Sequence, residues 1–394
     1  MTLEILIAAH FFPYPPNHGS GLDIWGQLET LKELGHTVDL ISTTSSPPAE
    51  SSLEAVRPYV RNMWCVQRQR GLTQALLPQP FQITSRSGLA QAAISGRYDL
   101  VILQSEYVSP VLRNPGLKYG PVILRLHNDE VAYYFDLAKC SSSARDKIFF
   151  FVESMKFRFY SPRMYAKSDQ LWFISDFERE QYTRSNPGKA EKALFLPSRV
   201  DLSRLQPYNP DGVDILFVGA LTRPMNRRGL EWYLEHVHPR LCIGARPRLT
   251  IAGYTQGDSI EWLRDLCSPF ENTCILPDAE DLEPLYARAR VFINPIFAGA
   301  GMKLKTIQAL RAGLPVVTTD VGVSGTGMQH GEHLLIADSP EEFGNCVKRL
   351  LSNPEEGAQL VETAQHYLKA VFDQPSRVRH ALERLGGIPA SKSH

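Results

Sequence analysis

A glycine-rich bend in the second half of the chain has the residue types that bind an anion. The bend is followed by a segment of helical periodicity that carries two lysines near its start. Free backbone N–H groups at a helix N-terminus stabilise a phosphate, and ammonium groups beside them add positive charge. The residues predicted to surround such an anion are Gly299, Ala300, Gly301, Met302, Lys303 and Lys305.

The elements that must position this bend are evident in the flanking sequence. Residues 291–294 form a short apolar run closed by Pro295, which is typical of a buried parallel strand. Apolar residues then recur at helical spacing over 302–312, and the Gly-Leu-Pro sequence at 313–315 predicts the end of that helix. We expect the next strand to begin at Val316.

A second group of polar residues follows an apolar run in the first half. Residues 121–126 predict a buried strand, and His127, Asn128 and Glu130 come after it. Polar side chains at the carboxyl end of a parallel strand lie where open α/β sheets bind ligands. These residues are therefore candidates for a binding site, with a purely structural histidine as the alternative.

A proline- and glycine-rich segment near the N-terminus is predicted to be a loop. It runs over residues 11–21, after a first buried strand at 3–9 and before a helix that begins at about Leu22. Gly19 and Gly21 fit a flexible lip where a ligand approaches the backbone closely, and a simple tight turn is the alternative.

Composition limits the possible classes of protein. The 394 residues include 42 basic and 42 acidic side chains, so no global field favours nucleic acid as a partner. The six cysteines are scattered without metal-ligand spacing, which predicts reduced thiols and no metal site. No apolar run is long enough to span a bilayer, and an acid lies where a signal peptide would carry bases. We expect a cytoplasmic protein.

The order of strands and helices predicts two doubly wound α/β domains facing each other across a cleft. Short apolar runs alternate with helix-length segments, stop at a Pro- and Gly-containing linker over 198–214, and then resume. The predicted domains are 1–205 and 206–372, followed by a C-terminal helix and disordered tail at 373–394. Residues 43–90, rich in Ser, Pro and Gln, give no clear pattern.

A basic and aromatic segment over 144–167 allows two interpretations. It could lie at the inner face of a membrane, or meet a lipid-linked acceptor, and peripheral contact through 145–167 is the most that the sequence predicts. Its aromatic residues occur on several helical faces, however, and Pro162 is expected to interrupt the helix. Core packing with a solvated basic face is therefore the preferred interpretation.

Taken in order and spacing, several motifs resemble the retaining, family-four (group 1) glycosyltransferases of the GT-B fold. The likeness is strong over residues 214–351 and thinner in the first half. The matching segments are 217–221 with Asn226 and 228–229, then 281–286, 299–305 and 313–319.

The resemblance implies a nucleotide-sugar donor bound mainly by the C-terminal domain, a sugar, lipid-linked or small-molecule acceptor, and no metal or other cofactor. His127 would then lie near the reacting carbon, and Gly19, Gly21, Asn128 and Glu130 would lie on the acceptor side. One of three arginines is expected to neutralise the diphosphate, or else to pair with Glu231 or solvent. The donor-binding residues after the strand that ends at Gly219 are Gly219, Arg223, Arg227 and Arg228.

Two positions depart from the pattern of the family. Gln308 stands where most members have a glutamate for the ribose hydroxyls, and Ala300 stands where many have a companion acid. A neutral amide accepts a weaker hydrogen bond than a carboxylate. A catalytically degenerate protein that binds nucleotide-sugar or glycan is therefore the alternative function.

Two other enzyme classes share elements of this architecture. An epimerase of the same fold would place acidic and histidine residues on both sides of the cleft, a pattern that the sequence does not clearly display. A nicotinamide dehydrogenase requires the G-x-G-x-x-G fingerprint, and the glycines at 322, 325 and 327 have different spacing. Both classes are disfavoured.

Overall fold

A computed structural model describes residues 2–16, 19–69, 71–141, 143–241, 248–255, 257–279, 281–299 and 302–386. The chain divides into two compact units. The first contains Met1–Ala138, Arg145–Arg199 and Asp373–His394, and the second contains Lys139–Ala144 and Val200–Phe372. The main division thus falls six residues before the predicted boundary, and the C-terminal helix belongs with the first unit. The predicted disordered end of the tail lies outside the described residues.

The first unit is built on a seven-stranded parallel sheet with the order β3-β2-β1-β5-β7-β8-β9. Alternate residues of its central strand enter different cores, because Ile5 and Ile7 pack on one face while Leu6 and Ala8 pack on the other. A small parallel pair, β4-β6, lies beside it. The strands are β1 Glu4–Ala9, β2 Thr37–Thr44, β3 Asn62–Gln67, β4 Gly96–Tyr98, β5 Leu100–Gln104, β6 Leu117–Tyr119, β7 Val122–Leu126, β8 Gln170–Phe173 and β9 Ala193–Phe195.

The helices of this half of the chain connect the parallel strands. They are α1 Gly19–Glu33, α2 Glu50–Val56, α3 Leu72–Leu76, α4 Phe81–Thr84, α5 Glu130–Cys140, α6 Ala144–Lys167 and α7 Asp176–Ser185. Short 3₁₀ segments occur at Arg57–Tyr59, Ser87–Gln91, Glu106–Arg113 and Pro187–Lys192. The segment 43–90, which showed no clear pattern, therefore contains three helices and the edge strand β3.

Two predictions for the first unit were wrong. The segment to Gly21 was expected to be loop, but Gly19 and Gly21 lie in the first turn of α1. Pro162 was expected to interrupt the basic, aromatic helix, but it lies inside the continuous α6. Proline removes one backbone hydrogen bond, and here the burial of Phe157 and Met164 on either side offsets that loss.

The second unit has a six-stranded parallel sheet with the order β12-β11-β10-β13-β14-β15. Each of its strands overlaps an apolar run from which the sequence predicted a strand, because strands buried on both faces read as continuous apolar segments. They are β10 Asp214–Val218, β11 Arg248–Gly253, β12 Thr273–Pro277, β13 Ala289–Asn294, β14 Val316–Thr318 and β15 Leu335–Ile336.

The helices of the second unit flank that sheet. They are α8 Pro224–Trp232, α9 His238–Leu241, α10 Glu261–Cys267, α11 Glu283–Arg288, α12 Leu304–Arg311, α13 Asp320–Val323, α14 Pro340–Ser352 and α15 Pro354–Val371. A 3₁₀ turn at Leu202–Arg204 precedes the sheet, and a π-helical turn at Tyr233–Val237 joins α8 to α9. The helix predicted over 302–312 is α12, which begins two residues later than expected.

The last helix returns to the first unit. In α16, Gln374–Gly386, the apolar side chains of Val378, Ala381 and Leu385 enter the same core as Ile5 and Leu28. The Gln170 amide also donates a 2.9 Å hydrogen bond to the Ala381 carbonyl. Among the helices of the described residues, none has both the length and the apolarity needed to cross a membrane.

Candidate functional site

The strand order of the second unit reverses at β10. The chain proceeds from β10 to β11 and β12 on one side, whereas β13, β14 and β15 lie on the other. In parallel α/β sheets a ligand binds outside the carboxyl ends of the two strands at such a reversal. Here those ends are followed by Gly219, after β10, and by the segment from Pro295 to Gly299, after β13. The predicted anion-binding bend therefore begins beside the carboxyl ends of β10 and β13, where the strand order predicts a ligand site.

The segments after β10 and β13 approach each other closely. A Cβ at Gly229 of α8 would lie 2.0 Å from the Pro295 carbonyl oxygen, so only glycine permits this contact. Gly299 has φ +121°, which L side chains rarely adopt, and a Cβ there would lie 2.8 Å from the Met225 sulfur. The local sequence thus requires glycine at both positions. Ala300 and Gly301 lie outside the described residues.

The two lysines of the bend make different contacts. The Lys303 ammonium is buried and donates a 2.7 Å hydrogen bond to the Gly299 carbonyl, which fixes one side of the bend. The Lys305 ammonium donates to the Asn226 side-chain oxygen at 2.8 Å and lies 4.8 Å from the centre of the Phe217 ring. Within the described part of the chain, Lys305 has no carboxylate partner.

Burial and the nearby charge of Lys303 lower the pKa of Lys305 to about 7. A cation held without a counter-charge is destabilised, and an anionic ligand would relieve that destabilisation. The neighbouring Met302 is also buried, so it contributes to the apolar surroundings of the bend. This combination of an uncompensated ammonium and a helix N-terminus favours an anionic ligand.

Gln308 lies on α12, one turn after Lys305. Its side-chain oxygen accepts a 2.8 Å hydrogen bond from Arg311, and the Arg311 guanidinium pairs with Glu283 at 2.7 Å. The amide is thus held by a network inside the unit. A carboxylate at this position would form a charged pair with the same arginine.

The three candidate arginines have different environments. Arg227 pairs with Glu231 at 2.8 Å and lies over the Trp262 ring at 4.7 Å, so its charge is already engaged. Arg223 immediately precedes α8, and Arg228 lies in its second turn, and both are exposed. Among the described residues neither of these two has an ion-pair partner. The Gly219 N–H donates to the Ala252 carbonyl at 3.1 Å, which anchors the end of β10.

The first unit has its own reversal of strand order at β1, between β2 and β5. His10 follows β1, and His127 follows β7, two strands further along the sheet. Their rings are 5.5 Å apart. His10 Nδ1 lies 2.5 Å from the Gln104 carbonyl oxygen, an acceptor, which places a proton on that nitrogen. Two imidazoles therefore lie near the carboxyl ends of the central strands.

His127 is held by a buried carboxylate. Its Nε2 lies 2.9 Å from Asp23 of α1, and Arg125 of β7 donates two hydrogen bonds to the same carboxylate, at 2.6 and 2.9 Å. Burial alone would raise the pKa of Asp23, but Arg125 and His127 outweigh it and hold the pKa well below its usual range. Since the carboxylate can only accept, Nε2 of His127 carries a proton.

The other nitrogen of His127 is available for a ligand. The buried Nδ1 has no hydrogen-bond partner among the described residues. When Nε2 alone carries a proton, Nδ1 presents a lone pair that can accept a hydrogen bond from a hydroxyl group. The two ring nitrogens thus have different environments, since Nε2 contacts Asp23 and Nδ1 makes no hydrogen bond within the described residues.

The other predicted residues of the first unit differ in accessibility. Glu130 opens α5, is buried and accepts a 2.5 Å hydrogen bond from the Tyr107 hydroxyl. Burial raises the pKa of Glu130 well above its usual value. Asn128 is half-buried, Gly19 is exposed and Gly21 is buried.

Sequence reasoning missed Asp23, Arg125 and His10 as site residues, and named Asn226 only as part of a motif. Arg125 did carry a signal, because a charged residue inside the apolar run at 122–126 requires a buried partner. Its partner lies about a hundred positions away in the chain, and no local pattern points to it.

The chain is similar to a known protein family and to a known bacterial protein. A family model described as glycosyl transferases group 1 matches residues 212–353, which covers the sheet of the second unit. A relative described as an uncharacterised 44.6 kDa protein in the cps region of Klebsiella pneumoniae is 34% identical over 385 residues, covering 94% of this chain and 96% of the relative. The chain belongs to the group 1 glycosyltransferases.

Solved structures show the fold of this glycosyltransferase. HepE from Anabaena in complex with UDP and glucose aligns with a TM-score of 0.66 and 13% identity, covering 98% of this chain and all of that one. WaaG, a glycosyltransferase involved in lipopolysaccharide biosynthesis, aligns with a TM-score of 0.64 and 16% identity, with coverage of 98% and 100%. The predicted GT-B fold, with a parallel α/β sheet in each unit, is confirmed.

Carboxylate, histidine and cysteine side chains are the usual protein ligands of metal ions. Across the described residues no group of three or more of them is arranged to hold a metal ion. The Asp278 carboxylate instead accepts a 2.8 Å hydrogen bond from the Thr255 N–H, and Asp281 accepts one from the Glu283 N–H at 3.0 Å. Asp281 directly precedes Leu282, the N-cap residue of α11.

Proposed function

We propose that this glycosyltransferase moves a sugar from a nucleoside-diphosphate sugar to an acceptor hydroxyl with retention of anomeric configuration. The observation that carries the proposal is Lys305, a half-buried lysine whose ammonium contacts Asn226 and has no carboxylate partner among the described residues, at the strand-order reversal of the second unit. The UDP bound to HepE, a protein of the same fold, supports a nucleotide as the ligand.

The donor's diphosphate would be held by the bend and by basic side chains. Lys303 and Lys305 lie at the start of α12, and the exposed Arg223 and Arg228 are available from α8 and the turn before it. As the bond from the anomeric carbon to the diphosphate oxygen breaks, negative charge grows on the leaving group. Fixed positive charges and the helix N-terminus stabilise that charge electrostatically, so the proposal requires no metal ion.

In the first unit, His127 is proposed to contact the donor sugar or the acceptor hydroxyl. Its free Nδ1 accepts a hydrogen bond from a sugar hydroxyl, while Asp23 holds the ring in one orientation. Gly19 and Asn128 are proposed to lie on the acceptor side, together with Gly21 and Glu130, which act through the backbone and the local fold. The acceptor would be a glycan, a lipid-linked sugar or a small molecule.

A catalytically silent protein that binds nucleotide-sugar or glycan is the second candidate. It is favoured by Gln308, whose oxygen is occupied by Arg311 in place of the carboxylate that the family pattern predicts. A binding protein and an enzyme would both bind the donor, but only the enzyme would release the nucleoside diphosphate.

The experiment is a turnover assay with a panel of nucleoside-diphosphate sugars in the presence of EDTA. The proposal predicts slow release of nucleoside diphosphate from at least one donor, with NMR showing that the sugar first appears in the donor's anomeric configuration. Lys305→Met is expected to abolish release, whereas Lys348→Met, an exposed lysine of α14, is the matched control. Binding without release would support the silent protein, and neither binding nor release would contradict both.

A further inference from the structure

Helix α6 carries apolar residues on two opposite faces. One face is buried in the first unit through Phe157, Met164 and neighbouring side chains. At 100° per residue, positions 148, 152, 155, 159, 162 and 166 fall on the opposite face, in alternating steps of four and three. We call this set the outer stripe. The preferred sequence interpretation, a core face with a solvated basic face, fits the buried side and the exposed basic side chains but does not explain the exposed apolar side chains.

The outer stripe is apolar and open to solvent. Phe159 is 70% exposed, Ile148 is 67% exposed and Val152 is 43% exposed. Phe151, 48% exposed, borders the stripe, and its ring lies 6.5 Å from that of Phe135 on α5, itself 41% exposed. Met155 of the outer stripe is half-buried, and Pro162 and Ala166 are exposed. Single exposed apolar side chains are common on soluble proteins, but a row of this length marks an interaction surface.

Basic residues line both edges of the outer stripe. On a helical wheel, Lys147 and Arg158 lie along one edge, and Arg145, Arg163 and Lys167 lie along the other, all of them exposed. The acidic residues of α6 are few: Asp146 is exposed, whereas Glu153 is buried and pairs with Lys156 at 2.9 Å. The exposed surface of this helix is therefore strongly cationic around an apolar centre.

We propose that the outer stripe of α6 docks onto the surface of an anionic lipid bilayer. The helix would lie in the interface plane, with Phe151 and Phe159 entering the boundary of the acyl chains. The flanking lysines and arginines would extend their ammonium and guanidinium groups to lipid phosphates. This surface requires no donor to be bound, so it is independent of the proposed transfer reaction.

Charge favours a bilayer over a second copy of the chain. Pairing two outer stripes in parallel would set each basic edge against a basic edge. Antiparallel pairing would bring Arg145 and Lys147 of one copy near Arg163 and Lys167 of the other. Like charges across an interface oppose association. An anionic bilayer complements both edges at once.

The test is sedimentation with vesicles of phosphatidylcholine alone, or with about one third phosphatidylglycerol, for the full chain and exposed-site variants. The full chain should bind only the anionic vesicles, with affinity falling as salt is raised. Phe159→Asp and Ile148→Asp should each weaken binding about tenfold or more, and Arg158→Glu/Arg163→Glu should do the same. Thermal melting and analytical ultracentrifugation accompany each variant.

Matched controls lie elsewhere on the first unit. Phe177→Asp changes another phenylalanine that is 57% exposed, and Arg97→Glu reverses another exposed charge, so both should bind as the unaltered chain does. The proposal is overturned if anionic vesicles are not bound or if the controls lose as much affinity as the α6 variants. It is also overturned if ultracentrifugation shows a dimer that Phe159→Asp dissociates while vesicles remain unbound.

Discussion

Lys305 is the residue whose ionisation most directly links this structure to donor binding. Its pKa is lowered to about 7 by burial and by Lys303, so the ammonium form is half populated near pH 7 and is progressively lost as the pH rises above that value. The diphosphate of a nucleotide-sugar keeps its charge over this range. We expect donor affinity to fall between pH 7 and 9, by at most about tenfold per pH unit.

Calorimetric titration across that pH range tests this expectation. Lys305→Arg keeps a charge that does not titrate, so its donor affinity should vary far less with pH. Binding to the unaltered chain near pH 8 should also take up a proton, which shows as a dependence of the heat on the buffer. Equal pH profiles for the two proteins would contradict the assignment of the anion site to Lys305.

The turnover of a variant at Gln308 would distinguish a working enzyme from a silent one. In the folded unit, Gln308→Glu would place a carboxylate beside Arg311, which already pairs with Glu283. That carboxylate would be drawn to Arg311 and away from a ribose. We expect the turnover of Gln308→Glu to be equal to or lower than that of the unaltered chain, measured as nucleoside diphosphate release. A gain of tenfold or more would instead favour a degenerate protein.

Asp23 is expected to stabilise the first unit because it neutralises the buried Arg125. Asp23→Asn leaves that guanidinium without a counter-charge, and loss of one partner of a buried pair costs about 3–5 kcal/mol. Asp176→Asn removes an exposed carboxylate that pairs with Arg179 and should cost less than about 1 kcal/mol. Urea denaturation measures both, and equal small effects would contradict the role of the buried pair.

The same carboxylate predicts the direction of acid sensitivity. The pKa of Asp23 is held below its usual range in the folded state, so its contribution is complete above about pH 4 and is lost as the pH falls below that value. The difference in unfolding free energy between the unaltered chain and Asp23→Asn should therefore shrink in acid.

At the scale of elements, α16 is a structural part of the first unit. Val378 is 1% exposed in the core that contains Ile5 and Leu28, while the adjacent Arg379 is exposed. Val378→Asp would bury a charge and should lower the unfolding free energy by about 3 kcal/mol or more. Arg379→Asp, its neighbour on the same helix, should change it by less than about 0.5 kcal/mol. Thermal melting and hydrogen exchange of α1 would report both, and equal effects would contradict this packing.

The helices and strands also show which parts of the fold could be predicted from the sequence and which could not. Each strand of the second unit contains a short apolar run, so these strands could be predicted from the sequence. The start of α12 could be predicted to within two residues from the glycines and the helical periodicity that follows them. The edge strand β3 was missed because its residues are mostly half-buried or exposed and give no apolar run. The continuity of α6 through Pro162 depends on packing on both sides of the proline, which a local rule does not include.

Some residues of the candidate site could likewise be named from the sequence, and others could not. His127 could be named as a candidate from the sequence because it directly follows a predicted strand. Asp23 was missed because its role arises only when α1 and β7 are brought together by the sheet. Likewise, the ion pair of Arg227 with Glu231 was predicted as an alternative from the sequence. The hydrogen bond of Lys305 to Asn226 could not be predicted, because the two residues are brought together only in the folded unit.

At the scale of the whole molecule, each unit carries one reversal of strand order with chemistry-bearing residues beside it. The second unit presents basic groups suited to a diphosphate, and the first presents an imidazole suited to a hydroxyl. The equal numbers of acidic and basic residues give no net charge, so the anion preference that we propose would be local to the bend and α12.

The most direct test of donor binding is calorimetric titration of the full chain with UDP-, GDP- and ADP-sugars in EDTA. We expect saturable 1:1 binding of at least one donor, and binding weakened about tenfold or more by Lys305→Met. Lys348→Met should leave it unchanged. Absence of binding for every donor, or equal affinity in the unaltered chain and Lys305→Met, would contradict the claim that this glycosyltransferase holds a nucleotide-sugar at the start of α12.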